Sequence, residues 1–282
     1  MKFGADTLIW EPGFGDDSLW LVDKVREMGF DVIEIPIFSG TPDFNYIGAR
    51  KAIEEAGLEC SVLSVLGERE DINSEDETLQ QNALNHLKRC ISAAEKLGAG
   101  AVAGPLYAPL GKKRVTSPEQ KKAEWERCVK NLRKAAEFAS EHGVVIALEP
   151  LNRFETDFIN IVSDAVRLVE DINHPAVGIQ LDTFHMNIEE KSIPEAIRKA
   201  GKYAYHMHAC ENDRGTPGTG HIPWKEVAKA LKDIKYDRYV VIEAFSQVSK
   251  DLAAATACWR PLEIDNDTIA RKGLKFLKSV MA

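Results

Sequence analysis

A chain of 282 residues with 44% hydrophobic content can bury a large core, and α/β barrels commonly reach this length as one domain. A net charge of -8 and a pI near 5.5 exclude the basic stripe of a nucleic-acid surface while leaving a small neutral substrate open. Five scattered cysteines (Cys60, Cys90, Cys128, Cys210, Cys258), with no CxxC pair, exclude a disulfide framework and a zinc knuckle and fit a reducing compartment.

The opening MKFGADTLIW has no apolar signal core and reads as a strand over 2–10. Leu19, Val22, Val25 and Met28 then recur at helical spacing over 16–28, and Gly29 stands where a left-handed cap is expected. A second strand, DVIEIPI (31–37), carries Glu34 inside it. A helix over 44–56 closes at Gly57, and a third strand covers 59–66. The helix over 75–97 takes Ser74 as its N-cap and stops at Gly98. A fourth strand (101–106) precedes a helix over 119–142, with Ser117 and Pro118 as cap and first-turn residue. Strand and helix alternate to the end: strands at 144–150, 176–183, 203–209 and 239–245, helices at 163–172, 194–200, 224–234 and 266–280. No apolar stretch reaches the roughly 20 residues of a membrane span, so a soluble, cytoplasmic protein is expected.

Eight strand–helix units without a linker or composition break imply a parallel sheet and, at this length, one (β/α)8 TIM barrel over residues 1–282. The alternative is a doubly wound open sheet. It calls for a Gly-rich dinucleotide loop after the first strand, where EPGFGD supplies only an isolated GxG.

In such a barrel the active site lies at the carboxyl ends of the strands. Strand five ends with Glu149, strand six with Asp182, strand seven with His208 (His206 on the same face), and strand eight with Glu243. Each alone is compatible with a salt bridge or, for Asp182, a helix cap. Four at corresponding places are better explained by a cation, because unpaired buried carboxylates are costly. Oxygen ligands with one imidazole and no thiolate suit Mn2+ foremost, with Co2+ or Mg2+ as alternatives. Glu34 either supports the site from behind or is an inward polar residue of the barrel. Arg214 lies in HACENDRGTPGTGH, read as a flexible lid carrying a substrate clamp. Trp10, Phe14 and Tyr107 are candidate walls for a sugar. Cys60 and Cys210 read as small packing residues.

Four segments, ALEPLNRFET, IQLDTFHMNIEE, HACENDRGTPGTGHIPW and VVIEAF, together with the later ACWRPL, make the chain similar to the ketose 3-epimerases. This is the D-tagatose and D-psicose (D-allulose) 3-epimerase group of the xylose-isomerase-like barrels. The resemblance implies one divalent metal ion on Glu149, Asp182, His208 and Glu243, with the two glutamates as acid and base. It also implies that Glu155, His185 and Arg214 hold the C1–C3 end of the ketose, and that the protein is a homodimer or homotetramer, with Trp259 near such a contact. The chain departs from many relatives at Leu110, within GPLYAPLG, and at Asp6, two positions expected to face the distal end of the sugar.

The expected chemistry is inversion at C3 by deprotonation and reprotonation through a metal-stabilised enediolate. The competing readings are an aldose–ketose isomerase and a sugar or inositol dehydratase on the same barrel. A barrel endonuclease would need a His-rich multi-zinc centre, which seven histidines in an acidic chain do not favour. A binding barrel without catalysis would need no acid–base pair. A free ketose is expected over a phosphosugar, since Arg214 is the strong anion-binding side chain after strand seven and AFSQVSKDL, after strand eight, offers Lys250 at most.

Overall fold

The computed structural model describes residues 1–245 and 248–281. Ser246 and Gln247, in the loop after the eighth strand, and Ala282 lie outside the described residues. The strands are β1 (Lys2–Asp6), β2 (Val32–Pro36), β3 (Glu59–Leu63), β4 (Ala101–Gly104), β5 (Val145–Leu148), β6 (Val177–Asp182), β7 (Ala204–His208) and β8 (Tyr239–Ile242). They pair in parallel in chain order, and β1 closes on β8 through Phe3 opposite Val240. Residues of all eight strands are buried, as expected for a parallel sheet covered by helices. The doubly wound alternative is thereby excluded.

Around the barrel run α1 (Trp20–Glu27), α2 (Tyr46–Glu55), α3 (Glu77–Leu97), α4 (Pro118–Glu141), α5 (Val162–Ile172), α6 (Thr183–Glu189), α7 (Ile193–Ala200), α8 (Trp224–Asp233), α9 (Lys250–Ala255) and α10 (Asn266–Met281). Apolar stripes seat them. On α5, Ala165, Leu168, Val169 and Ile172 are all buried against the sheet. Each fully buried Leu, Ile or Val stabilises the packing by about 1.5–3 kcal/mol.

The strands end sooner than their apolar runs suggest, because polar residues and turns take over at the rim. After Asp6 the chain makes a 3-10 turn over Thr7–Ile9, with the Asp6 carboxylate accepting from Leu8 N at 2.8 Å. The N-cap of α3 is Asp76 rather than Ser74: its carboxylate accepts from Thr78 N at 2.7 Å, while the Ser74 hydroxyl accepts from Asp76 N. The Ser117–Pro118 start of α4 stands as expected, with Ser117 accepting from Gln120 N. Two short helices, α6 and α9, escape periodicity because they span only 7 and 6 residues.

The inside of the barrel is unusually polar for this fold, where branched apolar side chains normally dominate. Asp6, Glu34, Ser61, Gln180, His206 and His208 are all fully buried. At the end of β4 the walls approach so closely that only glycine fits. Gly104 has φ 133°, and a Cβ there would lie 2.0 Å from the carbonyl oxygen of Ser64. Gly104→Ala must therefore push β3 and β4 apart and adopt a disfavoured backbone, at a cost of at least about 2 kcal/mol. A denaturation midpoint in urea unchanged from wild type would contradict this account of the rim.

Candidate metal centre

Asp182 ends β6 and starts α6, and its two oxygens face different ways. Oδ1 accepts from Phe184 N at 2.6 Å, capping the helix. Oδ2 looks into the barrel mouth, 4.0 Å from His208 Nδ1 and 3.8 Å from His185 Nε2. One residue thus serves as both the helix cap and the candidate ligand. His208 Nδ1 also lies 4.0 Å from Glu149 Oε1 and 3.4 Å from Glu243 Oε1. Asp182, His208 and Glu243 offer ligand atoms within 4.8 Å of one another, and Glu149 forms a second such group with Asp182 and His185. Bonds of about 2.1 Å to a divalent ion place neighbouring ligand atoms roughly 3.0–3.5 Å apart; the His208–Glu243 separation falls in that range, and the 4.0 Å separations from Glu149 and Asp182 lie beyond it.

The electrostatics call for added positive charge. Burial, with Asp182 next, pushes Glu149 well above the usual carboxylate range. Burial and the nearby Glu243 push Asp182 up to about 6. For Glu243, burial is outweighed by His208 and Arg214, which hold it at about 2. Burial alone would keep His208 neutral, yet Glu243 and Glu34 raise it well above the ordinary imidazole value. Three carboxyls here share one guanidinium and one imidazole, and two of them lean toward the neutral form. A divalent cation supplies the missing charge, and the oxygen-rich set with a single nitrogen suits a hard or borderline ion. These residues fit such an ion.

His185 flanks the point from α6. Its Nδ1 accepts from Asn152 N at 3.1 Å, and its Nε2 is 2.8 Å from Arg214 Nη2. Burial, and then Arg214, keep it well below the ordinary histidine pKa, so it is neutral. Arg214 itself sits at φ 60°, in the left-handed region, with its Nη1 3.2 Å from Glu243 Oε2. Its guanidinium carbon lies 4.3 Å from the centre of the Phe184 ring and 4.8 Å from that of Phe245. Glu155 Oε1 is 3.9 Å from Arg214 Nη2 and accepts from Asn152 Nδ2 at 2.8 Å. Glu149, Glu155, His185, Arg214 and Glu243 line one end of a cavity of about 500 Å³. The other end is walled by Leu8, Phe38, Leu63, Val65, Leu110 and residues of α9.

Several expected wall residues stand elsewhere. Trp10 does not line the cavity: its indole N–H donates to Asp267 at 2.8 Å, fastening the β1 loop to α10. Tyr107 is buried beneath the rim, its hydroxyl donating to Ile159 O and accepting from Leu151 N. It is a brace for the β5 loop. Phe14 packs on Phe44, and Asp6 is sealed inside the barrel beside Glu34 rather than at the distal end of the cavity. Leu110 does reach the cavity. Cys210 is more than packing, since its thiol lies 3.6 Å from both Asp182 Oδ2 and Glu243 Oε2. Asn152, which orients His185, lies between Glu149 and Glu155 in sequence but carries no spacing signal of its own. The apolar wall comes from loops scattered over the chain, and no local pattern marks it.

The loop expected to be a flexible lid is tied down by Glu211. Its buried carboxylate accepts from Gly218 N (2.7 Å), Ile222 N (3.0 Å) and Trp224 Nε1 (2.9 Å). These bonds fix the span that presents Arg214.

Residues 22–280 match the xylose isomerase-like TIM barrel family. The chain is 35% identical over 269 residues to D-psicose 3-epimerase of Ruminiclostridium cellulolyticum, covering 93% of this chain and 90% of that protein. It is 32% identical over 281 residues to ketose 3-epimerase of Arthrobacter globiformis, covering 99% and 96%. The fold matches the crystal structure of D-psicose 3-epimerase with D-tagatose from Clostridium cellulolyticum H10 with a TM-score of 0.92. Sequence identity there is 33%, and 100% of this chain and 99% of that one are covered.

Glu211→Gln keeps the size of the loop anchor and removes its charge, which is expected to cost about 1–3 kcal/mol at neutral pH. Burial raises the Glu211 pKa, but Trp224 and the loop amides outweigh burial and hold it low. A depressed folded-state pKa stabilises above the unfolded value of about 4.3, and this contribution fades as pH falls through the folded value. The gap in melting temperature between wild type and variant should therefore be widest near neutrality and close in acid. A gap independent of pH would refute the anchoring charge.

Proposed function

The chain belongs to the ketose 3-epimerases, isomerases of the xylose isomerase-like TIM barrel family, and we propose that it inverts C3 of a free ketose with one divalent metal ion. The observation that carries this reading is the buried meeting point of Glu149, Asp182, His208 and Glu243, where carboxyls outnumber cations. Those four residues would hold the ion, with Mn2+ the ion assigned foremost and Co2+ or Mg2+ its alternatives. When bound, it supplies Lewis acidity toward the oxygens of the sugar.

The remaining steps fall to the protein's own side chains. Glu155, His185 and Arg214 hold the C1–C3 end of the ketose at the polar end of the cavity. One of the two glutamates removes the proton from C3, and the carboxyl of the other delivers one to the opposite face. The negative charge left meanwhile spreads over C3 and the C2 oxygen as an enediolate. Such a pair needs different protonation states at neutral pH. Neutral His185 can offer or accept a hydrogen bond without adding charge.

The substrate is of the D-tagatose, D-psicose, D-fructose or L-ribulose type. Arg214 is the only Lys or Arg among the described residues that line the cavity, and Glu243 already pairs with it, which favours a free sugar over a phosphosugar. No helix among the described residues is long and apolar enough to cross a membrane, and the thiols of Cys60, Cys90, Cys128 and Cys210 are free and buried. Both features suit a cytoplasmic enzyme built as one barrel over residues 1–282. A homodimer or homotetramer would cover Trp259, which is 73% exposed.

Exhaustive chelation should abolish turnover and Mn2+ should restore it; full activity in metal-free protein ends the metal reading. Replacing Glu149 or Glu243 by Gln should lower kcat by about 10²–10⁴-fold. With a ketohexose in D2O, proton NMR should show deuterium at C3 alone. Retained hydrogen at C3 would point to the hydride shift of an isomerase, and inversion at C4 to bond cleavage.

A further inference from the structure

Glu34 reaches across the barrel from β2 to the two histidines of β7. Its Oε1 lies 2.6 Å from His208 Nε2. Its Oε2 accepts from the Ser61 hydroxyl at 2.7 Å and stands 2.8 Å from His206 Nε2. Glu34 and both imidazoles are fully buried. A carboxylate so placed is tolerable only if its neighbours answer its charge and its lone pairs. The contact also decides how His208 can act. With Nε2–H donating to Glu34, the lone pair is left on Nδ1, the nitrogen facing Glu149, Asp182 and Glu243. On the Nδ1 side, the Gln180 amide nitrogen sits 3.0 Å away.

We propose that Glu34, held by Ser61 and flanked by His206, is the positioning residue of the metal centre: it fixes the ring orientation and tautomer of His208. This inference rests on the metal reading above. Glu34 touches neither the cavity nor the candidate ion point, so it acts through His208 alone. His206 has no well-aligned hydrogen bond, although it is buried beside Glu34. It stands 2.8 Å from Glu34 Oε2 without constraining where that carboxylate points. A hydrogen-bonded carboxylate behind a metal-binding histidine raises ligand basicity, and its loss typically weakens metal affinity 10–100-fold.

The test is a calorimetric titration of Mn2+ into metal-stripped wild type and Glu34→Gln, with the Mn2+ EPR spectrum recorded at saturation. The variant is expected to bind Mn2+ about 10–100-fold more weakly. Excess Mn2+ should restore most of its kcat, and KM for the ketose at saturating Mn2+ should stay within about twofold of wild type. If Glu34→Gln does not fold, Ser61→Ala loosens the same carboxylate without removing a charge and should weaken Mn2+ binding several-fold. Equal Mn2+ affinity in wild type and whichever variant folds overturns the positioning role while leaving the metal reading intact. A wild type that binds no Mn2+ overturns both.

Discussion

Negative charge confined inside a closed barrel is the constraint on which the rest of the structure depends. Glu34, Glu149, Asp182 and Glu243 are all buried within reach of His208, with Arg214 the nearby guanidinium. Burial in a low-dielectric interior penalises every ionised carboxyl, and repulsion between neighbours adds to the penalty. The protein answers in graded ways. Glu34 is held well below the usual range because His206 and His208 outweigh its burial. Asp6 is pushed well above the usual range by burial and then by Glu34, which favours the neutral form of a carboxyl with one oxygen unpartnered. The mouth itself keeps a deficit of positive charge, and that deficit makes it receptive to a cation.

The second level of organisation is the rim. Arg214 arrives on a loop anchored by Glu211. Its guanidinium then lies against the rings of Phe184 and Phe245, contacts that suit the flat guanidinium of an arginine better than the ammonium of a lysine. His185 is held by the Asn152 backbone and side chain on one edge and meets Arg214 on the other. The polar end of the cavity is thus a set of side chains each fixed by a partner outside the cavity. Such an end orients a ligand with little ordering cost.

Asp182 shows how economically the fold uses a strand end. Capping α6 with Oδ1 stabilises the helix that carries Phe184 and His185, while Oδ2 remains for the ion point. The two roles need not compete, because a carboxylate has oxygens enough for both. The Cys210 thiol, pushed well above its usual pKa by burial and then by Asp182, stays protonated as a weak donor against the same oxygens.

Strand–helix alternation, the glycine stops and the four strand-end ligand candidates were legible in the residues alone, because periodicity and strand termination are local properties. The closure of β1 on β8 follows from counting eight units. What the linear order could not decide is which rim residues look inward. Trp10 is drawn from the mouth by Asp267, 257 positions away, and Tyr107 turns beneath the rim to brace Leu151 and Ile159. Glu34 meets His208 across 174 positions, a contact that exists only because the barrel closes and puts β2 opposite β7. Local sequence determined the elements and the chemistry at their ends. Long-range closure decided the direction each side chain faces, since that depends on partners brought together only when the whole sheet has curled on itself.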